Sequence, residues 1–455
     1  MSVDIGLTFL GAVGTVTGSR FLLRVGDRHT LIDCGLFQGY KNLRKRNWAG
    51  LPIDPARIDE VVLTHAHIDH SGFLPVLCRD GFKNHILCTE ATRDLCRHLL
   101  PDSGFIHEKD AENANRHGHT KHHPAKPLYT RQDAEDSLKQ FQGVKFGVPQ
   151  VLDEHVTVTF RRAGHILGAA SVLFEIDGTR ILFSGDLGSP DSATMIPPDP
   201  IPDVDVLIVE STYGDRLRDR ADPEAALADV VNRTINRGGT LIVPAFAVGR
   251  TQLILHHLQR LMSSGQVPEV PVYLDSPLAI RATEVFANHP DDHRLSLEDA
   301  EAACDLPEYV RDPEASKALT RDPTPKIVIA GSGMATGGRV LHHLKVYAPD
   351  PRSTILFAGY QAGGTRGAKM IQGVDSIKIH GRYWPLKAEV DHLDMLSAHA
   401  DGEEILAWLK PMNHAPRQVF IVHGEPDASD ALRLKITEAL GWKAEVPEMN
   451  SEYPF

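Results

Sequence analysis

Residues 61–70 read Val-Val-Leu-Thr-His-Ala-His-Ile-Asp-His, an apolar run followed at once by four side chains that bind metals. His65 and His67 are two apart on an extended segment and therefore share a face, whereas Asp69 and His70 begin the next turn and reach toward a second ion. Neutral imidazoles together with a carboxylate suit zinc or another borderline divalent ion. Because core packing does not explain three histidines and an aspartate at this spacing, the stretch predicts a metal site at the end of a strand.

Three further side chains of metal-binding type occur later in the chain. They are His165, Asp186 and His423, and each stands just past the C-terminal end of an apolar run. Sheet proteins place active sites at that end of their strands. Singly, each of the three is equally well explained as a structural residue, but together with residues 65–70 they indicate one shared site.

Length, composition and cysteine usage describe a large protein without secretory or membrane features. With 455 residues the chain is too long for one ordinary domain, so two domains are expected. Its 42% hydrophobic and 24% charged content is typical of soluble globular proteins, and no apolar run is long enough to span a membrane. The amino terminus lacks the basic and apolar regions of a secretory signal, and the five cysteines form no Cys-x-x-Cys pair. We therefore expect a cytoplasmic protein with reduced thiols and no membrane contact.

The net charge of −12 argues against a surface that binds nucleic acid everywhere, but it leaves room for a local basic groove. Two clusters are candidates for such a groove, Lys41–Arg46 and the alternating Arg216, Arg218 and Arg220. A solvated surface explains each of them as well. Bound zinc ions would add positive charge that the residue count omits.

The pattern of apolar runs changes along the chain. Before Asp222 short strands alternate with turns, and from there onward helices alternate with strands in the manner of a parallel sheet. Asp222 and Pro223 are typical of a helix start, and Pro223–Asn236 is the first helix expected in this part. Residues 300–325, rich in Asp and Pro, are expected to connect elements. The histidine-rich stretch His107–His123 is interpreted as a polar helix with a loop rather than a metal site.

Three more residues are candidates for supporting or catalytic roles. Glu210 ends the apolar run Val206–Val209, and His399 stands just before a predicted helix. Asp33 follows another strand-like run and is a candidate partner for a ligand histidine, with a plain turn aspartate as the alternative.

Two glycine-rich stretches are candidates for loops near a substrate. Gly11–Ser19 lacks the Gly-Lys-Ser/Thr ending of a Walker loop, and we interpret it as a tight loop beside the site. In Gly331–Arg339, glycines and a helix start offer backbone amides to a phosphate. Ser332, Gly333 and Arg339 are therefore candidate substrate contacts, with a structural glycine turn as the alternative.

The seven ligand candidates resemble the ligand set of the metallo-β-lactamase superfamily. That resemblance implies an αββα sandwich with a site for two metal ions. It assigns one zinc ion to His65, His67 and His165 and the other to Asp69, His70 and His423, with Asp186 bridging. Two ions about 3.5–4 Å apart share a hydroxide and stabilise the attacking and leaving oxygens.

Further motifs resemble those of the β-CASP branch of that superfamily, whose members are nucleases acting on RNA or DNA. Glu210, His399 and His423 match three of its motifs. Other matches are Pro244–Arg250, Asp275–Ala279, Gly331–Met334 and Gly359–Gln361. The resemblance covers essentially the whole chain and extends to short bacterial relatives of the pre-mRNA 3′-end cleavage endonuclease. It implies an α/β protein with a metallo-β-lactamase domain in two parts, residues 1–212 and 376–455, and a β-CASP domain with a parallel sheet inserted at residues 213–375.

The resemblance and the residues together give the functional hypothesis of a zinc-dependent ribonuclease. It would hydrolyse phosphodiester bonds of single-stranded RNA with a hydroxide activated by two Zn²⁺ ions per chain, as an endonuclease, with a 5′-exonuclease mode left open. Asp69 would accept the proton of the water, and His399, an imidazole outside the metal groups, would protonate the leaving 3′-oxygen. Glu210 would orient His399. The expected partner is RNA, no membrane is expected, and the sequence is compatible with a homodimer.

Three other functions stay open at the level of sequence. A DNA-directed nuclease would differ in contacts to the bases or the 2′-hydroxyl, which the sequence does not reveal. A small-molecule ester or thioester hydrolase shares the zinc ligands, but the inserted domain, Glu210 and His399 argue against it. A non-catalytic RNA-binding scaffold is expected to have lost ligands, whereas all seven are present here.

Overall fold

The computed structural model describes residues 3–118, 122 and 124–455 of the chain. These residues divide into two compact units. Unit 1 comprises the chain up to Ser192 together with Ile196–Leu217 and His399–Phe455, and unit 2 comprises Ala193–Met195 and Arg218–Ala398. Strands and helices are numbered along the chain.

Unit 1 contains two mixed sheets. The first has the spatial order β22-β1-β2-β3-β4-β5-β6 and consists of β1 (Ile5–Phe9), β2 (Phe21–Val25), β3 (Arg28–Ile32), β4 (Glu60–Val62), β5 (His85–Thr89), β6 (Phe141–Val144) and β22 (Glu452–Pro454). The second has the order β21-β20-β11-β10-β9-β8-β7 and consists of β7 (Gln150–Val151), β8 (Val156–Arg162), β9 (Ala170–Ile176), β10 (Thr179–Phe183), β11 (Val206–Glu210), β20 (Gln418–Val422) and β21 (Ala444–Glu445). Strands β3 to β6 of the first sheet pair in parallel, and so do β10, β11, β20 and β21 of the second. These include the strands that lead to His65, Asp186 and His423, whereas β8, which leads to His165, is antiparallel to β7 and β9.

The two sheets pack face to face around one core, and side-chain alternation explains why. In β11, Val206 and Ile208 belong to the core between the sheets, whereas Leu207 and Val209 belong to a separate cluster on the other face. Phe9 of the first sheet contacts Phe420 of the second, with ring centroids 4.9 Å apart. Full burial of each such side chain contributes about 1.5–3 kcal/mol.

Helices cover both outer faces of this pair of sheets. The helices of unit 1 are α1 (Lys41–Arg46), α2 (Ile68–Ser71), α3 (Leu74–Arg79), α4 (Glu90–His117), α5 (Arg131–Ser137), α13 (Gly402–Leu409) and α14 (Pro426–Leu440), with 3₁₀ turns at Pro55–Arg57 and Leu138–Gln140. α4 packs on β5 and β6, and α14 packs on β20. The αββα sandwich predicted from the sequence is therefore confirmed.

The histidine-rich stretch begins inside α4, which ends at His117 with Gly118 in a left-handed conformation. His119 and His123 lie outside the described residues. Within the part of the chain that the structure describes, no helix combines the length and the apolar character needed to cross a membrane.

Unit 2 is a three-layer α/β structure. Its sheet has the order β14-β13-β15-β12-β16-β19 and consists of β12 (Leu241–Pro244), β13 (Val272–Leu274), β14 (Glu308–Tyr309), β15 (Ile327–Ala330), β16 (Thr354–Ala358) and β19 (Glu389–Leu393), while β17 (Ser376–Ile379) and β18 (Arg382–Pro385) form a hairpin. The helices are α6 (Pro223–Asn236), α7 (Arg250–Ser263), α8 (Pro277–Asn288), α9 (Leu297–Asp305), α10 (Pro313–Arg321), α11 (Val340–Tyr347) and α12 (Arg366–Ile371), with 3₁₀ turns at Pro290–Asp292 and Asp394–Leu396. Adjacent strands of the six-stranded sheet pair in parallel, as the sequence predicted.

One expectation for this unit is wrong. Residues 300–325 are not a connecting stretch but contain the end of α9, then β14 and α10. The aspartate at position 312 caps α10, because its side chain accepts the N–H groups of Glu314 and Ala315, and Pro313 opens the helix. Asp and Pro act here as helix-start residues rather than loop formers.

Residues 376–398 group with unit 2, because β19 pairs with β16 along its whole length. This grouping differs from the domain boundary at residue 376 that the family resemblance implies.

Candidate metal centre

The turn after β4 and the short helix α2 that follows it present four candidate ligands, and two neighbouring loops hold their backbone. The N–H of Ser19 donates to the Asp69 carbonyl at 2.9 Å, and the N–H of Cys34 donates to the His70 carbonyl at 2.7 Å. Gly35 lies so close that a Cβ atom there would come within 1.5 Å of the Asp69 carbonyl oxygen. Glycine is therefore required at this position, since any side chain would displace the turn.

A buried arginine supports the same turn. Arg20 donates from Nε and Nη2 to the Gly35 carbonyl, at 2.9 and 2.7 Å. Its guanidinium lies over the ring of Phe73, 4.0 Å from the centroid, and 5.2 Å from that of Phe37. Burial lowers the pKa of Arg20 to about 10, so the group stays charged at neutral pH. The cation thus fixes Gly35 against the metal-binding turn.

Four side chains bring one ligand atom each to a common point: His65, His67, His165 and Asp186. His67 Nδ1 lies 3.2 Å from His65 Nε2 and 3.2 Å from His165 Nε2. Asp186 Oδ2 lies 3.6 Å from each of the same two Nε2 atoms. A tetrahedral metal with bonds of about 2.0–2.1 Å separates its ligands by about 3.3 Å. These separations therefore fit a zinc ion at the centre of the group.

Asp69, His70 and His423 form a second group. The Nε2 atoms of His70 and His423 are 3.1 Å apart, and His423 Nε2 lies 3.3 Å from Asp69 Oδ2. Asp186 reaches this group with its other oxygen, since Oδ1 lies 3.2 Å from His70 Nε2. Among the described residues, this buried oxygen makes no hydrogen bond. Asp186 therefore faces the two groups with different oxygens, as a bridging ligand does.

Hydrogen bonds to Nδ1 fix the tautomers of two of these histidines. Asp33 Oδ2 lies 2.7 Å from His70 Nδ1 and accepts the Thr64 hydroxyl at 3.0 Å. Because that hydroxyl gives its proton to Asp33, it accepts from His65 Nδ1, which is 3.1 Å away. In its neutral form each ring therefore carries its proton on Nδ1 and turns the Nε2 lone pair toward the metal groups. The role expected of Asp33 stays a prediction, and Thr64 is a residue of the same kind that the sequence reading missed.

His423 is held by Thr212 and by the glycine-rich loop between β1 and β2. The Thr212 hydroxyl donates to the His423 carbonyl at 3.2 Å and therefore accepts from His423 Nδ1, also at 3.2 Å. The His423 N–H donates to the Ala12 carbonyl at 2.7 Å. His423 has a φ of +51°, a left-handed conformation that is uncommon outside glycine and clusters at functional sites. Thr212 also escaped the sequence reading.

Burial and neighbouring carboxylates set the protonation of the ligand groups. Burial lowers the pKa of His67 to about 4 and holds the pKa of His65 well below its usual value, so both rings are neutral and ready to bind metal. Burial also opposes a charge on His70, but Asp186 and Asp33 outweigh it and raise the pKa of His70 well above its usual value. A metal ion must therefore displace a proton from His70.

His399 stands outside both groups and is held by the buried carboxylate of Glu210. His399 Nδ1 lies 3.0 Å from Glu210 Oε1, and the same carboxylate accepts the N–H groups of Leu187 and Thr212 at 2.8 and 3.0 Å. The His399 and His165 rings have centroids 4.4 Å apart. Burial lowers the pKa of His399, but Glu210, with smaller contributions from Asp186 and Asp69, outweighs burial and raises the pKa above its usual value. The pair therefore favours the protonated form of an imidazole that lies beside the candidate ligands.

The candidate substrate contacts lie in unit 2 and bond within it. The Ser332 hydroxyl accepts the N–H of Thr336 at 3.0 Å, and a Cβ atom on Gly333 would lie 2.7 Å from a neighbouring backbone nitrogen. Arg339 donates from Nη1 to Asp275 at 2.6 Å. A phosphate contact by these residues stays a prediction, and for Arg339 it requires the exchange of Asp275 for the phosphate.

Models of known families match consecutive parts of the chain. The metallo-beta-lactamase superfamily matches residues 13–228, the Beta-Casp domain matches residues 251–370, and a Zn-dependent metallo-hydrolase RNA specificity domain matches residues 383–447. Together these matches span both units.

Several curated proteins are similar over nearly the whole chain. The chain is 36% identical to ribonuclease TTHA0252 of Thermus thermophilus, over 93% of this chain and 94% of the relative. It is 33% identical to the transcription termination factor FttA of Methanosarcina mazei, over 93% of this chain and 67% of the relative. It is 30% identical to the RNase J-like protein of Methanocaldococcus jannaschii, over 93% of each.

A solved structure shares the fold. A protein of unknown function from Enterococcus faecalis V583 aligns over 99% of this chain and 100% of its own, with a TM-score of 0.58. At 12% sequence identity this likeness bears on the fold alone.

Proposed function

The chain belongs to the β-CASP branch of the metallo-β-lactamase superfamily of hydrolases, and from this premise we propose that it is a zinc-dependent ribonuclease. The proposed substrate is single-stranded RNA, cut endonucleolytically, with a 5′-exonucleolytic mode as a second activity of the same site. The observation that carries the proposal is the His399–Glu210 pair, 3.0 Å apart, beside a complete set of metal ligands. A phosphodiester has a poor leaving group, so a fixed proton donor next to the metal groups is what its hydrolysis needs.

Two Zn²⁺ ions per chain are the cofactor we propose. The residues fit this group, because both ligand groups consist of imidazoles and carboxylates at the separations that zinc requires. One ion would be held by His65, His67 and His165 and the other by Asp69, His70 and His423, with Asp186 bridging. When bound, the ions would supply a hydroxide nucleophile at neutral pH and neutralise charge on the phosphate oxygens.

The protein's own residues would then move the protons. Asp69 would accept the proton of the attacking water. His399 bonds Glu210 through Nδ1, so Nε2 is the nitrogen that would protonate the leaving 3′-oxygen. Glu210 would hold the ring in place and stabilise its charged form until that transfer. Thr64 and Thr212 would keep ligand histidines in the tautomer that binds metal through Nε2.

The test is a cleavage assay on 5′-labelled single-stranded RNA and on DNA of the same sequence, with zinc measured in every sample. We expect His399→Ala to keep its zinc and lose about 10²–10⁴-fold in rate, since general acid catalysis contributes that much. Asp69→Ala should lose both zinc and activity. His414→Ala is the matched control, because His414 is an exposed histidine that also pairs with a carboxylate, 3.5 Å from Asp203.

The fragment pattern separates internal cuts from stepwise removal of 5′ nucleotides. Zinc-loaded wild-type protein that cuts neither polymer would overturn the proposal and point to ester or thioester substrates. Cleavage of DNA alone would move the function to a DNA-directed nuclease.

A further inference from the structure

Helix α1 and the turn after it present one exposed face of cations and an indole. Lys41, Arg44 and Lys45 are exposed and spaced i, i+3, i+4, so they lie on the same side of the helix. The N–H of Trp48 donates to the Lys45 carbonyl at 3.1 Å, so the chain continues its helical path to Trp48. Trp48 is 63% exposed. These four residues are called the α1 face below.

The opposite side of α1 fastens the helix to unit 1. Leu43 is half-buried, and Arg46 donates to Met449 Sδ at 3.0 Å while lying over the ring of Phe37. Asn47 is buried and accepts the Phe37 N–H at 2.9 Å. The side that faces solvent is therefore fixed, and it is the side that carries the α1 face.

The cations of the α1 face form no ion pairs with neighbouring acids among the described residues. Within the described ranges, Lys41, Arg44 and Lys45 form no ion pair at the distances where the structure's other pairs occur. One acid, Asp110 of α4, lies close enough for Arg44 to lower its pKa, although burial raises that pKa more. In a chain of net charge −12, three neighbouring cations that form no ion pair make a local basic patch, which favours a polyanionic partner.

We propose that the α1 face is a docking site for single-stranded RNA, separate from the metal centre. The proposal rests on the proposed function, in which RNA is the substrate. Three cations on one side of a helix can neutralise phosphates, and an exposed indole offers a surface on which an unstacked base lies. A duplex keeps its bases stacked, so none is available to the exposed indole. A lipid surface requires an apolar helix face, which α1 lacks. Single-stranded RNA therefore fits the α1 face best.

The α1 face is joined to the loops of the metal centre. The N–H of Leu36 donates to the Ile68 carbonyl at 2.9 Å, and Ile68 precedes Asp69 in α2. The N–H of Gln38 donates to the Thr17 hydroxyl at 3.2 Å, in the loop whose Ala12 carbonyl holds His423. The α1 face begins a few residues after these bonds. RNA bound there would raise substrate affinity without entering the chemical step.

The test compares two triple variants that remove the same charge from exposed positions of unit 1. The face variant is Lys41→Gln/Arg44→Gln/Lys45→Gln, and the matched control is Arg57→Gln/Lys410→Gln/Lys443→Gln. Binding to labelled single-stranded RNA is measured at several salt concentrations in the His399→Ala background, so that the RNA stays intact. Loss of three phosphate contacts predicts that the slope of log affinity against log salt falls by about 2 in the face variant. The control should keep the slope of the parent protein.

Trp48 is tested separately. Trp48→Ala should weaken RNA binding about 5-fold to 150-fold, the range that loss of one stacked base predicts, and Trp48→Phe should restore most of it. In the active enzyme, the face variant should raise KM for a long RNA with little change in kcat. The face variant should cleave a short oligonucleotide at the wild-type rate, because such a substrate occupies only the metal centre.

The outcomes separate this inference from the proposed function. Equal slopes for face and control variants, with RNA still cut by the wild type, would overturn the docking site alone. A wild-type protein that neither binds nor cuts RNA would overturn both. Loss of binding to a polyglutamate peptide, with RNA binding unchanged, would assign the α1 face to an acidic protein partner instead.

Discussion

Replacing Glu210 by Gln removes the charge that holds the His399 proton while keeping the shape of the side chain. Glu210 is buried, and its carboxylate accepts three hydrogen bonds, from Leu187 N–H, Thr212 N–H and His399 Nδ1. All three neighbours are donors, so an amide at this position must turn its NH₂ group toward one of them. The variant therefore loses a negative charge and at least one hydrogen bond.

The size of the effect on His399 follows from these contacts. A hydrogen bond to a charged group contributes about 1.5–3 kcal/mol, and one pKa unit corresponds to about 1.4 kcal/mol. Loss of the charge at Glu210 should therefore lower the pKa of His399 by about 1–2 units. A general acid works in its protonated form, which is complete below its pKa and lost as pH rises through it. The descending limb of the kcat profile should then move to lower pH by the same amount.

The assay is the pH dependence of kcat on single-stranded RNA, over the range where zinc content stays constant. The control is a substrate whose scissile 3′-oxygen is replaced by sulfur. A thiolate leaves without a proton, so the limb should disappear for wild type and Glu210→Gln alike, and His399→Ala should recover most of its activity. A Glu210→Gln profile that coincides with wild type at equal zinc content would refute the assignment of His399 as the acid.

Three further predictions concern the metal groups. Asp33→Asn should weaken zinc binding about 10–100-fold, because an amide cannot accept hydrogen bonds from His70 Nδ1, the Thr64 hydroxyl and the Thr64 N–H as a carboxylate does. Competition with a chelator measures the zinc affinity, and wild-type affinity in the variant would count against this role. Gly35→Ala should lower both zinc content and Tm, because its Cβ would lie 1.5 Å from the Asp69 carbonyl oxygen; an unchanged Tm and full zinc content would contradict the required close approach. Zinc binding to the metal-free protein should release a proton from His70, whose pKa is raised, so zinc affinity should fall as pH is lowered. Calorimetry in buffers of different ionisation enthalpy counts the released protons, and zinc binding without proton release would rule out this linkage.

Local patterns predicted the elements well where they carried enough information. Helix Pro223–Asn236 has the bounds in the structure that its capping residues predicted. The prediction that residues 300–325 connect elements failed because Asp and Pro favour both loops and helix starts. Packing decides which of the two structures forms. In the structure that packing buries Leu319 of α10, so the stretch is helical.

The candidate site likewise contains residues that the sequence predicted and residues that it did not. Histidines and aspartates at strand ends are recognisable because few structural roles require them. Thr64, Thr212 and Arg20 were not recognisable, because their roles come from contacts with residues that are distant in sequence or from burial. Thr212, for example, meets His423 only because β11 and β20 are adjacent in the second sheet.

The most direct test of the central claim is a zinc titration of the metal-free protein with RNA cleavage followed in the same samples. The account predicts that two zinc ions bind per chain and that cleavage of single-stranded RNA rises as the sites fill. Protein that holds two zinc ions and leaves RNA intact would contradict it.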